Sequence, residues 1–122
     1  MSSNLLLDIP ALLHAYRNAP DWQVRIQNNM AAFVAFLHQH GLVRSGVLSS
    51  PDEEAGLFVL YTADLTDEGV QLFHRPILAV DKWLKANDNP TKPLSMRSLE
   101  NGLKKIRAPQ QPRLLPQSLT NP

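Results

Sequence analysis

The sequence predicts an α+β fold of about four helices packed on one β-hairpin, in the order α-α-β-β-α-α. Several long segments repeat apolar residues every three or four positions, as amphipathic helices do. Between them, residues 42–61 contain short apolar runs rich in β-forming residues and separated by turn residues. The 122 residues include no cysteine and suffice to bury a core without disulfides. We expect one compact domain over residues 1–107 and an extended, proline-rich tail over residues 108–122.

The N-terminal third predicts two helices. Residues 1–7 are expected to fray, after which Asp8 is a typical N-cap and Pro10 suits the first turn of a short helix. Residues 21–40 predict one longer, continuous helix, because its apolar stripe keeps a spacing of three and four throughout. The stripe consists of Trp22, Ile26, Met30, Phe33, Val34 and Leu37. Gly41 can take the left-handed conformation that ends such a helix.

The middle of the chain predicts a β-hairpin. Residues 42–48 predict a first strand, interrupted near Gly46, and residues 57–61 predict a second strand. The acidic segment 50–56 between them is expected to form the exposed hairpin loop, because it combines proline, glycine and charged residues. Since an isolated hairpin is marginally stable in water, the hairpin should pack against the helices.

Two further helices follow the predicted hairpin. Residues 65–86 carry the clearest helical pattern in the chain, with Thr66 as the N-cap. Pro76 lies inside this segment and removes one backbone hydrogen bond, so we expect a kink or a break near residues 72–75. Residues 95–107 predict the last helix, with apolar residues on one side and basic residues on the other.

The net charge of +1 conceals an asymmetry along the chain. Residues 1–64 contain three basic and six acidic residues, a net charge of −3, whereas residues 65–122 contain nine basic and five acidic residues, a net charge of +4. A polarised surface of this kind favours an acidic patch for a basic partner, or a basic patch for an acidic partner. The charges alone leave the sign of the partner open.

The sequence lacks the residue patterns of known catalytic and metal sites. It contains no nucleophile elbow, no glycine-rich phosphate loop and no metalloprotease histidine pair. His38 and His40 are two positions apart, which directs their rings to different faces of a helix. The cluster of Asp64, Asp67 and Glu68 is explained by capping at the start of a helix. We therefore expect no enzymatic activity, no metal and no cofactor.

One segment resembles a known family. The residues that carry the resemblance are His-Gly-Leu-Val-Arg-Ser at 40–45, the predicted strand at 57–61 and Asp-Leu-Thr-Asp-Glu-Gly at 64–69, followed by a long amphipathic helix. Over residues 40–85 this order resembles the wing and following helix of winged-helix regulators of the MarR type. The resemblance implies a hairpin followed by a helix, and it implies DNA-binding transcriptional regulation as the alternative function.

Two features argue against nucleic acid as the partner. The wing of that family typically carries Asp-x-Arg near its tip, whereas this chain has Asp52, Glu53 and Glu54 there, whose carboxylates would repel phosphates. Those regulators also need a helix, a tight turn and a recognition helix, whereas residues 21–40 predict one continuous helix. We carry over the local topology and no DNA-reading residue.

In general character the chain resembles the small immunity proteins that bacteria make beside polymorphic toxins. The resemblance rests on its size, its lack of cysteine, its acidic loop and its charged helix faces. It implies a non-catalytic protein-binding module that neutralises a toxin by direct stoichiometric binding, with carboxylates steering toward a basic cleft and aromatic residues anchoring the contact. The predicted partner-binding residues are Asp52, Glu53, Glu54, Phe58, Tyr61, Asp64, Asp67 and Glu68.

The sequence also predicts a compartment. No apolar run is long enough to span a membrane, and the N-terminus lacks the basic start and apolar centre of a secretion signal. The lack of cysteine fits a reducing compartment. We expect a cytoplasmic protein with another protein as its partner and no membrane association. A homodimer formed through exposed helix faces stays an open alternative.

Overall fold

The structure, a computed structural model, describes residues 4–108 and confirms the α+β class. The described residues form six α-helices and two short β-strands. In chain order these are β1 (Leu5–Asp8), α1 (Ile9–Ala15), α2 (Pro20–Gln39), α3 (Pro51–Glu54), β2 (Val59–Tyr61), α4 (Asp67–Gln71), α5 (Ala79–Ala86) and α6 (Arg97–Arg107). A short 3₁₀ turn, Thr62–Asp64, follows β2. The tail predicted for residues 108–122 lies outside the described residues, except for Ala108, which ends α6.

The sheet is not the predicted hairpin. β1 pairs with β2 in antiparallel orientation, with Leu7 opposite Leu60 and Asp8 opposite Val59. The two strands are therefore separated along the chain by α1, α2 and α3, and the predicted order α-α-β-β-α-α is wrong. The expected fraying is wrong for residues 5–7, because their backbone belongs to the sheet.

Residues 42–48 do not form a strand, because the backbone turns within them. Gly46 and Leu48 have φ values of 81° and 56°, which lie in the left-handed region and interrupt an extended chain. In the described structure this segment makes one isolated β-bridge, between Val43 and Leu65. Leu48 is nevertheless buried. The apolar residues that suggested a strand therefore contribute to the core from a turn.

The acidic segment is a helical turn and not a hairpin loop. α3 begins with a capping box, in which Ser50 Oγ accepts a hydrogen bond from the Glu53 N–H (3.2 Å) and the Glu53 carboxylate accepts one from the Ser50 N–H (3.2 Å). After α3, Gly56 approaches the Gln27 carbonyl of α2 so closely that a Cβ would collide with it. Gly56 also has a φ of 101°, a conformation that glycine adopts without steric cost. This glycine therefore holds α3 against the N-terminal half of α2.

α2 is one continuous helix, as predicted. It begins with Pro20 at its first position, where the missing N–H costs nothing. It ends before Gly41, whose φ of 65° is the predicted left-handed conformation. The Leu42 N–H then donates a hydrogen bond to the Leu37 carbonyl (2.9 Å), which closes the last turn. At 20 residues, α2 is about 30 Å long.

The helix predicted over residues 65–86 is broken near Pro76, as expected. Thr66 caps α4 as predicted, because its Oγ accepts a hydrogen bond from the Gly69 N–H (3.3 Å). Residues 72–78 form turns between α4 and α5. The break extends beyond the predicted range, because Leu78 has a left-handed φ of 47° immediately before α5.

The hydrophobic core joins α2, α5 and α6. Trp83 of α5 is fully buried and stacks on Phe33 of α2, with ring centroids 5.4 Å apart. α5 packs closely on α6, because Gly102 has no Cβ that would collide with Ala79. Other buried core residues are Ile9, Met30, Leu37, Leu42, Leu60, Leu65, Leu72 and Leu99. Through α5, the core sets the relative position of α2 and α6.

Candidate functional site

An open groove of about 1050 Å³ lies between α2 and α6. Its apolar surface comes from Ala32, Ala35 and Phe36 of α2 and from Met96 and Leu103 at or within α6. Phe36 and Leu103 are buried, so their side chains form the floor, whereas Ala35 is exposed to solvent. A concave surface of this volume with apolar lining makes the groove a candidate for a binding surface.

The spacing of residues along α2 explains why the groove is there. Ala32, Ala35, Phe36 and Gln39 follow one another at intervals of three, one and three, which places them on the same face of the helix. Two of the four are alanines, whose short side chains leave space that longer residues would fill. The α2 wall is therefore shallow and apolar along about two helical turns.

The rim of the groove on the α6 side is mainly basic. Arg97, Lys104 and Arg107 line it together with one carboxylate, Glu100. These positions are three or four residues apart, so they form one edge of the helix. The α2 side contributes no acidic, lysine or arginine side chain to the lining, since its polar members are Gln39 and a histidine. The positive charge is thus confined to one side of the groove.

A charged contact closes one end of the groove. Arg107 Nη2 donates to Glu68 Oε1 (3.1 Å) and to the His40 carbonyl (2.8 Å), and its Nε donates to Glu68 Oε2 (3.3 Å). The two-pronged geometry is the favourable one for an arginine–carboxylate pair. Because both side chains are partly exposed, solvent weakens the pair. The contact nevertheless links the ends of α2 and α6 to the start of α4.

Asn87 fixes the connection that leads from α5 into α6. Its side chain is 2% exposed. The Nδ2 group donates to the carbonyls of Trp83 (2.8 Å) and Ser95 (2.9 Å), and Oδ1 accepts a hydrogen bond from the Ser95 N–H (2.8 Å). Ser95 directly precedes Met96, the first residue of the α6 wall. Asn87 therefore positions the start of that wall.

The structure leaves part of the predicted acidic site on the surface. Asp52 and Glu54 of α3 are exposed, whereas Glu53 is half-buried and its carboxylate caps its own helix. Asp67 is exposed in the first turn of α4. Glu68 pairs with Arg107 within the chain. Asp52, Glu54 and Asp67 are therefore the members that present a carboxylate outward.

Phe58 is wrongly predicted as a surface anchor. Its side chain is 3% exposed because it belongs to the core just before β2, whereas Tyr61 at the end of β2 is 43% exposed. Asp64 lies beside Tyr61, since Asp64 Oδ2 accepts a hydrogen bond from the Tyr61 N–H (2.9 Å). Tyr61 is also paired across the sheet with Leu5, another exposed apolar residue.

The predicted acidic residues fall into two separate groups. α3 lies beside Gln27 of α2, while α4 is connected through Arg107 to the carbonyl of His40, just past the other end of α2. Along α2, the distance from Gln27 to His40 is about 20 Å. The structure therefore does not bring the acidic residues of α3 and α4 into one patch.

Residues 4–108 contain neither a metal-binding cluster nor a membrane-spanning helix. No group of three or more His, Asp or Glu side chains there could hold a metal ion. His38 Nε2 is hydrogen-bonded to the Leu48 carbonyl (2.8 Å), and the His40 ring lies against Phe36 with centroids 4.6 Å apart. None of the described helices combines the length and the apolar character needed to cross a membrane.

Comparisons with known proteins do not identify a family. No protein-family model matches the chain, and no curated protein or solved structure is significantly similar to it. The groove and the contacts that shape it are therefore the basis on which a function can be proposed.

Proposed function

We propose that this protein is a non-catalytic protein-binding module whose recognition surface is the groove between α2 and α6. The observation that carries the proposal is the groove itself, with its volume of about 1050 Å³, its apolar floor and its polar rim. An apolar centre surrounded by polar residues is the usual anatomy of a protein-binding surface.

The shape of the groove favours a macromolecular partner over a small molecule. α6 has 11 residues, so the groove can extend about 16 Å beside it, which is about three helical turns. The apolar lining is built from alanine, phenylalanine, leucine and methionine side chains, which offer packing and no acid–base chemistry. Packing over such a length suits the side of a partner's helix better than a single compact ligand.

The proposed mode of action is stoichiometric binding in the cytoplasm, as in immunity proteins that neutralise a toxin by covering it. Two contacts support a rigid surface suited to this role. Trp83 stacks on Phe33 in the core, and Arg107 links the ends of α2 and α6 to the start of α4. A surface that is already ordered loses less entropy when it binds. Asp52 and Glu54 do not line the groove, so the proposed surface does not include them.

Ala35→Trp is expected to abolish partner binding without unfolding the protein. Ala35 is exposed on α2 and lines the groove, so an indole there fills the space that the partner would occupy. The full-length tagged protein is used to isolate its partner from the cells that encode it, and both are then purified separately. Calorimetry should give one-to-one binding to the unmodified protein and at least about 100-fold weaker binding to the variant.

The matched control is Ala11→Trp. Ala11 is also an exposed helical alanine, in α1, and it does not line the groove. This variant should bind within about twofold of the unmodified protein, since surface substitutions away from an interface have small effects. Far-UV circular dichroism and thermal melting confirm that both variants are folded. Equal binding by the Ala35→Trp variant and the unmodified protein would contradict the proposal.

A further inference from the structure

We propose that the groove binds one amphipathic helix of the partner, and that this helix carries carboxylates along the flank that faces α6. The inference rests on the proposed function and specifies the chemistry of its partner. Three features of the groove support it: the helical walls, the small residues on the α2 wall and the position of the charges.

The walls of the groove favour a helix over an extended peptide. Both walls are α-helices, whose backbone N–H and C=O groups are already hydrogen-bonded within the helix. A strand added by β-augmentation needs a free strand edge, and neither wall provides one. A polyproline segment needs exposed aromatic faces, whereas Phe36 in the floor is only 4% exposed. An amphipathic helix needs only an apolar groove for its side chains.

The α2 wall allows close approach of such a helix. Ala32 and Ala35 are one turn apart on α2 and project a single methyl group each. Packed helices lie about 8–10 Å apart, with the shorter distances at small residues. Apolar side chains of a bound helix can therefore pass over the alanines and contact Phe36 and Leu103.

The charges identify the flank of the bound helix. Arg107 is paired with Glu68, so Arg97 and Lys104 are the cations that remain on the α6 rim, and both are exposed. They are seven residues apart, which is about 10 Å or two helical turns. Glu100 lies between them. A helix with two carboxylates two turns apart, and a neutral or basic residue between them, matches this rim.

The α2 side of the groove does not require charged residues on the bound helix. Its polar lining residues are Gln39 and His40, and its remaining lining residues are apolar. The matching helix is therefore acidic on one flank only. An acidic flank also matches the net charge of +4 on residues 65–122, the part of the chain that contains α6. Of the two partner charges that the sequence left open, the inference therefore selects the negative one.

The test begins with a displayed library of helical peptides of about 15 residues, a length at which an isolated helix begins to be stable. The library is selected on the full-length protein, and peptides that also bind the Ala35→Trp variant are removed. We expect the retained peptides to carry apolar residues on one face and carboxylates two turns apart. A synthetic copy of the most enriched peptide is the probe for calorimetry.

Reversing the two rim charges should change the groove's preference from acidic peptides to basic ones. Arg97→Glu combined with Lys104→Glu should weaken binding of the probe peptide about tenfold or more. Binding should recover when the two carboxylates of the peptide are replaced by lysine. The matched control combines Lys85→Glu with Lys92→Glu, which changes the net charge equally at exposed positions outside the groove. This control should leave the affinity unchanged.

The outcomes separate this inference from the proposed function. Groove-specific peptides with neutral or basic flanks would overturn the inference and leave the proposed function standing. Failure to obtain any peptide sensitive to Ala35→Trp would overturn both. A synthetic peptide of residues 109–122 that binds the groove more tightly than the probe would identify the chain's own tail as the occupant. A dimer that Ala35→Trp dissociates, seen by light scattering, would identify a second copy, and either result overturns the inference.

Discussion

Trp83→Ala is expected to lower the free energy of unfolding by about 3–5 kcal/mol. Trp83 is fully buried and stacks on Phe33, so its removal leaves a cavity between α5 and α2 and also ends an aromatic contact. The rigid core around this site limits how far the cavity can collapse. Urea unfolding followed by far-UV circular dichroism measures the effect, because that signal does not depend on the deleted tryptophan.

Two further variants make this result specific. Trp83→Phe keeps a ring against Phe33 and removes the indole N–H, which has no hydrogen-bond partner among the described residues, so a cost of about 1–2 kcal/mol is expected. Trp22→Ala deletes the other tryptophan, which is half-buried and stacks on Tyr16 near the surface, and should cost less than Trp83→Ala. Equal losses for Trp22→Ala and Trp83→Ala would contradict the central position of Trp83.

Asn87→Asp is expected to cost about 3–5 kcal/mol at neutral pH, although the two side chains have nearly the same shape. The substitution keeps the acceptor for the Ser95 N–H but removes both donors, so a buried carboxylate faces the carbonyls of Trp83 and Ser95. The loss should shrink in acid, because a protonated carboxyl regains one donor. Urea unfolding at neutral and acidic pH, each relative to the unmodified protein, measures both effects.

Asn89→Asp is the matched control in the same connection. Asn89 is less buried, and its Oδ1 accepts hydrogen bonds from the Thr91 N–H and Oγ1, which a carboxylate also accepts. The expected change is within about 0.5 kcal/mol. A small effect of Asn87→Asp, comparable with this control, would show that Asn87 does not hold the start of α6.

The elements that could be predicted from the sequence are those encoded by local signals. The apolar stripe of α2 and Gly41 define one long helix, and the structure has it. Thr66 and Pro76 likewise mark a helix start and a break through their own backbone chemistry. The capping box of α3 is also a local signal, since Ser50 precedes Glu53 by three residues and this spacing predicts a helix start. The proline, glycine and acidic residues around it predict a loop instead, and that second signal is misleading here.

The strand pairing could not be predicted, because it depends on contacts between distant residues. β1 is a run of three leucines without alternation, and its partner lies more than 50 residues away. The segment 42–48 has the better strand composition, but its left-handed residues turn the chain. Asn87 gave no signal of its role either, since a run of asparagine and aspartate is typical of an exposed turn.

The sequence predicts only part of the candidate site. The basic side of the last helix was predicted, but a groove needs the relative position of α2 and α6, which the core determines. The opposite exposures of Phe58 and Tyr61 follow from strand geometry. Phe58 and Tyr61 are three residues apart on a strand, so they point to opposite faces and cannot both be exposed anchors.

Site-specific photo-crosslinking tests the central claim most directly. A photoreactive phenylalanine analogue replaces Gln39, an exposed residue that lines the groove, and in a second sample it replaces Asp52 on the acidic helix α3. Each sample is irradiated in the purified one-to-one complex with the partner. We predict a crosslink from position 39 and none from position 52, with the attached partner peptide belonging to an amphipathic helix. A crosslink from position 52 and none from position 39 would contradict the assignment of the groove as the recognition surface.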